Sequence, residues 1–167
     1  MKSVLIAYYT KTGSTKETAQ LIEKTLKEAG LNAEAKAVSD DLSPADYDAC
    51  IIGGPVNGMQ WVPQAAQFAS KWAEILKTKK TVLFCLSYIY LTGGSFWKNS
   101  IAKILKPFAD STDAMETAVF GGRVEGPLPA PMRFIFGIKR DSPLDLVNHE
   151  GIAAWAKELA PRLQDGD

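Results

Sequence analysis

The chain has 167 residues, 46% of them apolar and 23% charged, with 19 Lys and Arg against 19 Asp and Glu. Those values suit one globular domain, residues 1–167, long enough to bury a substantial core. A formal net charge of zero argues against a polyanion binder, so no nucleic-acid partner is expected.

Residues 3–9, SVLIAYY, are short, apolar and rich in strand formers, which predicts a first strand. Ser14 or Thr15 then opens a helix. Ala19, Ile22, Leu26 and Ala29 recur at helical spacing, and Gly30 is its stop. From 31 to 38 the pattern alternates, with Leu31, Ala33, Ala35 and Ala37 on one side and Asn32, Glu34 and Lys36 on the other. That predicts a half-exposed edge strand. YDACIIGG (47–54) reads as a buried strand ending at Gly53. Phe68, Ala69, Trp72, Ile75 and Leu76 mark a second helix. TVLFCLS (81–87) is another buried strand, and Trp97, Ile101, Ile104, Leu105 and Phe108 mark a third helix. METAVFGG (115–122) is a last strand. Ile152, Trp155, Ala156, Leu159 and Leu163 mark a closing helix. Between them lies an irregular insertion, about 121–148, with prolines at 127, 129, 131 and 143.

Strands that alternate with helices imply crossover connections and a parallel sheet. The expected fold class is therefore α/β, a doubly wound five-stranded parallel sheet in the order 2-1-3-4-5. In such sheets ligands bind at the carboxyl ends of the strands, at the switch point between strands 1 and 3. The loops that matter are then those after Tyr9, Gly53 and Ser87.

Cys50 and Cys85 each sit inside a strand-like run and read as small core residues rather than as a disulfide or reactive thiols. No Cys/His cluster points to a metal. The N-terminus lacks a signal-peptide pattern and no apolar run is long enough to span a bilayer. No transmembrane segment and a cytoplasmic location are the expectations.

The first loop, YYTKTGSTKETA, carries five hydroxyl side chains between Thr10 and Thr18 but one glycine. A nucleotide-triphosphate loop needs G-x-x-x-x-G-K-[ST], and a dinucleotide loop needs G-x-G-x-x-G. Neither fits. A phosphate receiver needs an Asp where the third strand here ends in Gly53-Gly54. What remains is a hydroxyl cradle at a helix N-terminus, where free N–H groups and the helix dipole favour an anion. Thr10, Thr12, Ser14 and Thr15 can donate to phosphate oxygens, and Gly13 lets the backbone come close. The plainer alternative is that Ser14 or Thr15 is only a helix cap. One cap does not call for five hydroxyls, so the monophosphate reading is preferred.

IAYYTKTGSTKETAQLI resembles the phosphate-loop signature of the flavodoxin family. Ile6, Tyr8, Thr10, Gly13, Thr15, Ala19 and Ile22 fall on its positions. Ala7 departs, where a bulkier apolar residue is usual. The resemblance implies a flavodoxin-like fold and flavin mononucleotide, FMN, as cofactor. It places Thr10, Lys11, Thr12, Gly13, Ser14 and Thr15 around the phosphate. By the same resemblance, GGPVNGMQWVP flanks the flavin ring through Pro55, Val56, Asn57, Gly58 and Met59, with Trp61 either stacked on the ring or anchored in the core. The Asn57-Gly58 peptide falls where the family hydrogen-bonds flavin N5. A peptide flip there would favour the one-electron reduced flavin. LSYIYLTGGSFW resembles the third flavin loop through Ser87, Tyr88, Thr92, Gly93 and Gly94, with Tyr88 or Tyr90 as a stacking ring. That loop holds no carboxylate, which would raise the reduction potential. His149, the single histidine, is expected at the surface or in a cap.

The resemblance leaves three functions: an FMN electron carrier or small oxidoreductase, an FMN enzyme acting on quinones or porphyrinogens, and a flavodoxin-like interaction module without cofactor. Electron-carrier flavodoxins are usually acidic, and this chain is neutral. YDACIIGGPVNGMQW and the insertion GGRVEGPLPAPMRFIFGIKRDSP are loosely similar to the menaquinone-dependent protoporphyrinogen oxidase family. The expected partners are a redox protein or a quinone-like small molecule. Met132, Phe134, Ile135, Phe136 and Ile138, flanked by Arg133, Lys139 and Arg140, form an apolar cluster. Filling the core is its plainer role. The alternative is that it covers the site, or meets a quinone, a membrane surface or a second subunit through 132–140.

Overall fold

The computed structural model describes residues 1–166. Five strands form the sheet: β1 (Ser3–Tyr8), β2 (Asn32–Ala37), β3 (Ala49–Asn57), β5 (Lys80–Ser87) and β6 (Glu116–Gly121). They run parallel in the order β2-β1-β3-β5-β6. A two-residue strand, β4 (Gln60–Trp61), folds back antiparallel on the end of β3. The order is the one expected, with β4 as an added hairpin arm.

Helices α1 (Ser14–Glu28) and α8 (His149–Gln164) cover one face. Ala19, Ile22 and Leu26 from α1 and Ile152, Ala156, Leu159 and Leu163 from α8 pack on Val4, Ile6, Ile51, Val82 and Phe84. Helices α2 (Pro63–Lys71), α3 (Ala73–Leu76) and α6 (Lys106–Thr112) cover the other face. Their Ala65, Phe68, Ala69 and Leu76 meet Leu5, Ala7, Cys50, Ile52, Leu83 and Cys85. Successive strand residues point to opposite faces, so strands buried on both sides must be apolar throughout. Both cysteines are fully buried and free, and burial pushes the Cys85 thiol up to about 12.

Three short helices complete the chain: α4 (Tyr88–Thr92), α5 (Ser95–Ala102) and α7 (Ala130–Phe136). They differ from expectation in instructive ways. The third predicted helix is two helices, α5 and α6, broken at Lys103, Ile104 and Leu105 just before Pro107, whose ring cannot continue an uninterrupted helix. The loop after Ser87 is largely helical, as α4. β3 runs past Gly53 to Asn57, because the hairpin with β4 extends the strand. The insertion contains α7. It is closed at its base by an antiparallel bridge between Arg123 and Asp145. Val124 N–H donates to Leu144 O (2.9 Å) and Leu146 N–H to Gly122 O (3.0 Å). Core filling fits only Ile138, which is buried, whereas Phe134, Ile135 and Met132 stand exposed. Among the described residues, no helix is long and apolar enough to cross a membrane.

Candidate functional site

The carboxyl ends of β1, β3, β5 and β6 open on one cavity of about 500 Å³. Its lining divides into a polar end, a hairpin wall, a floor and an outer wall.

The polar end is the first loop. α1 starts at Ser14, and its N-cap is Gly13 at φ 94°, a left-handed conformation that suits glycine. No side chain caps this helix. The plainer alternative, that Ser14 or Thr15 is only a helix cap, is therefore not what is observed. Thr10 Oγ1 instead accepts from Gly13 N–H (2.9 Å), which bends the loop, and the Thr12 and Ser14 hydroxyls lie 3.3 Å apart. The first-turn N–H groups are left to solvent or to a ligand. Lys11, Thr12 and Ser14 line the cavity. The Thr15 hydroxyl is buried and has no protein partner, which is costly unless something else supplies one.

The hairpin wall comes from β3 and β4, with Pro55, Val56, Asn57, Gly58 and Met59 on the cavity. Gly58 and Met59 have φ of 59° and 60°, two successive left-handed residues at the centre of the turn. Such turns match the twist of a two-residue hairpin. A Cβ on Gly58 would meet nothing, so its conformation, not space, calls for glycine. Met59 has no such freedom. Its strain, about 1 kcal/mol or more, sits where a ligand would touch the turn.

The floor is Leu86, Ser87, Tyr88 and Ile89. Ser87 Oγ accepts from Tyr90 N–H (3.1 Å) and so caps α4, while Tyr88 donates its hydroxyl to Pro143 O (2.8 Å). Thr92 donates to Tyr88 O (2.8 Å), and Gly94 N–H donates to Phe136 O (2.8 Å). Gly94 thus serves the contact with α7, Thr92 and Gly93 bond back to α4, and none of the three lines the cavity. Tyr90 lies under the Lys98 ammonium, 5.8 Å from its ring centre, and is also off the cavity. Trp61 is buried, donates Nε1–H to Gly54 O (3.2 Å) and packs against Phe108 with ring centres 5.1 Å apart. Of the two roles given to Trp61, the core anchor is the one observed.

Of the outer wall, the sequence offers only Met132 and Phe136, in the cluster read as core filling or as a cover over the site. Gly122, Arg123, Val124 and Glu125 follow β6, and Leu128, Met132 and Phe136 come from the insertion. In a parallel sheet every carboxyl end opens on the same edge, so the loop after β6 belongs with the other three. Glu125 supplies a carboxylate that the loop after Ser87 lacks. Arg123 clips this wall to the polar end. Its Nη1 and Nη2 donate to both oxygens of Glu17, at 3.0 and 2.8 Å, and its Nε donates to Asp145 (3.0 Å). The guanidinium holds the Glu17 carboxyl below its usual range. Asp145 is lowered first by Val147 N–H and then by Arg123. His149, at the start of α8, is exposed 3.9 Å from Glu17, and Asn148 caps the helix by accepting from Gly151 N–H. Among the described residues no group of three or more His, Cys, Asp or Glu could hold a metal.

FMN fits what is present: an uncapped helix start and the Thr12 and Ser14 hydroxyls at one end of a cavity whose remaining walls are mostly apolar, with the orphaned Thr15 hydroxyl buried behind them in the first turn of α1. Similar solved structures include Flavodoxin 2 from Bacillus cereus (18% identity, 96% of this chain and 99% of that one, TM-score 0.63). The WrbA-like flavodoxin from Agrobacterium tumefaciens shares 15% identity over 98% of both chains, with a TM-score of 0.61. The flavodoxin of Streptococcus pneumonia TIGR4 shares 15% identity over 96% of this chain and 97% of that one, with a TM-score of 0.60. At these identities the likeness shows the fold alone. No curated protein matches significantly. The family model described as Flavodoxin domain matches residues 5–128. The chain belongs to the flavodoxin family, and its cofactor is FMN.

Proposed function

We propose that this protein is an FMN-dependent electron-transfer protein that holds its cofactor between the first loop and the insertion. The observation that carries the reading is the polar end of the cavity, where the uncapped start of α1 meets the Lys11, Thr12 and Ser14 side chains that line it. When bound, FMN supplies one- and two-electron redox chemistry that no side chain here can provide. The chain's own contribution is to bind, orient and shield. Lys11, Thr12, Ser14 and the α1 N-terminus would take the phosphate, with the buried Thr15 hydroxyl as a further donor. The Asn57-Gly58 peptide would offer its carbonyl or its N–H to the flavin, and the positive φ of Gly58 suits such a turn. Tyr88 offers the one aromatic ring of the floor for stacking. Leu128, Met132 and Phe136 keep water from the outer side.

A second reading, an oxidoreductase acting on quinones or porphyrinogens, draws on that same apolar outer wall, which would suit an apolar co-substrate beside the ring. The reading without cofactor is disfavoured by the first loop, whose hydroxyls line a cavity at a helix start that no side chain caps. The test is a visible spectrum of the purified protein through a reductive titration. A flavin spectrum that bleaches and returns supports electron transfer. A colourless protein that FMN cannot reconstitute overturns both redox readings. Catalytic turnover with menaquinone or protoporphyrinogen would favour the second reading, and reversible reduction without turnover the first.

A further inference from the structure

The outer side of the insertion carries more than a cavity wall needs. Phe134 is 89% exposed, Phe96 71% and Ile135 59%. These side chains come from neighbouring elements locked together. Gly94 N–H donates to Phe136 O (2.8 Å), and Trp97 donates Nε1–H to Ile135 O (2.9 Å). The Trp97 ring meets Phe96 and Phe136 edge-on at 5.1 and 4.9 Å. The result is one apolar face built from α5 and α7.

The charge around this face is one-sided. Residues 88–103 and 126–140 hold Lys98, Lys103, Arg133, Lys139 and Arg140 and no carboxylate, in a chain of zero net charge. None of the five forms an ion pair among the described residues. Arg133, Lys139 and Arg140 share the lining of one small cavity, with Asp141 as its one acid.

We propose that this face docks the protein onto an anionic lipid bilayer surface. Exposed rings flanked by unpaired cations are what the headgroup region accepts, with rings entering the acyl boundary and cations meeting lipid phosphates. A second copy docked face to face would bring two sets of five like charges together. An acidic protein would need hollows shaped to receive rings that protrude as far as Phe134 does, whereas a bilayer needs none. Because Met132 and Phe136 of the same helix line the cofactor cavity, docking sets the cavity's outer wall beside the membrane. The proposal goes beyond the redox reading.

The experiment is co-sedimentation of the full chain with vesicles of phosphatidylglycerol and phosphatidylcholine, and with phosphatidylcholine alone. Binding to the anionic vesicles that weakens as salt rises is expected, with far less on the neutral ones. F134S/I135S should lose binding to both. K139Q/R140Q should bind the anionic vesicles roughly 30-fold more weakly. Neither pair lies in the cofactor cavity, and unchanged circular dichroism shows that each variant is folded. Wild type that fails to sediment with anionic vesicles at low salt overturns the proposal, as do variants that bind like wild type. A dimer that F134S/I135S dissociates, with no vesicle binding, assigns the face to a second copy and overturns it too. Sedimentation reads lipid and not flavin, so its failure is separate from failure of the cofactor reading.

Discussion

The polar and outer ends of the cavity are built by different means. The first loop is backbone-defined: a left-handed Gly13, a helix start left uncapped, and short hydroxyl side chains with few rotamers. The outer wall is held from outside, by the Arg123 clip to Glu17 and Asp145 and by the contacts of α7 with Gly94 and Trp97. One end is made rigid by local geometry and the other by long-range contacts. Losses at the first end should therefore fall on affinity, and losses at the second on closure and redox tuning.

The largest effect is expected from T12A/S14A. Each hydroxyl lost from a charged phosphate is worth about 1.5 kcal/mol or more, so FMN affinity should fall roughly 100-fold with fold stability nearly unchanged. Fluorescence titration of the apoprotein checks this, and an unchanged affinity would break the division of labour. T15V sharpens it further. Removing an unpartnered buried hydroxyl should leave the apoprotein as stable or more stable, by up to about 1 kcal/mol, while FMN binds about tenfold more weakly. Urea melts with and without FMN would show both signs.

The outer end should respond more gently. E17Q removes the bidentate half of the clip, which is partly exposed and worth about 1 kcal/mol or less. Acid should mimic it. Glu17 and Asp145 have folded-state values below the unfolded ones, so their contribution is present above the unfolded carboxyl range and is lost as pH falls through the folded values. Faster proteolysis within the insertion in E17Q, and in wild type at acid pH, is the expected readout. The smallest effect is that of E125Q. Removing a carboxylate from the cavity lining should raise the flavin reduction potential by an amount on the order of 40 mV for one electron. Equilibrium dye titration measures it.

The same contrast explains what the sequence disclosed. The apolar strands, the period of α1 and α8 and the hydroxyl loop all depend on residues close in the chain, so spacing revealed them. The Asn57-Gly58 turn was legible, but Met59's left-handed backbone was not, because the hairpin to β4 imposes it. Thr92, Gly93 and Gly94 look like a loop in one dimension; α4 and the contact with Phe136 take them away from the cavity. Arg123 and Glu17 are 106 positions apart, and no local pattern pairs them. Prolines marked 121–148 as irregular but could not show which apolar side chains turn inward.

The central claim is that the first loop is a phosphate cradle. Titrating the apoprotein with FMN and with riboflavin, which lacks the phosphate, tests it most directly. FMN should bind at least about 100-fold more tightly than riboflavin. Equal affinities, or no binding of either, would contradict the account.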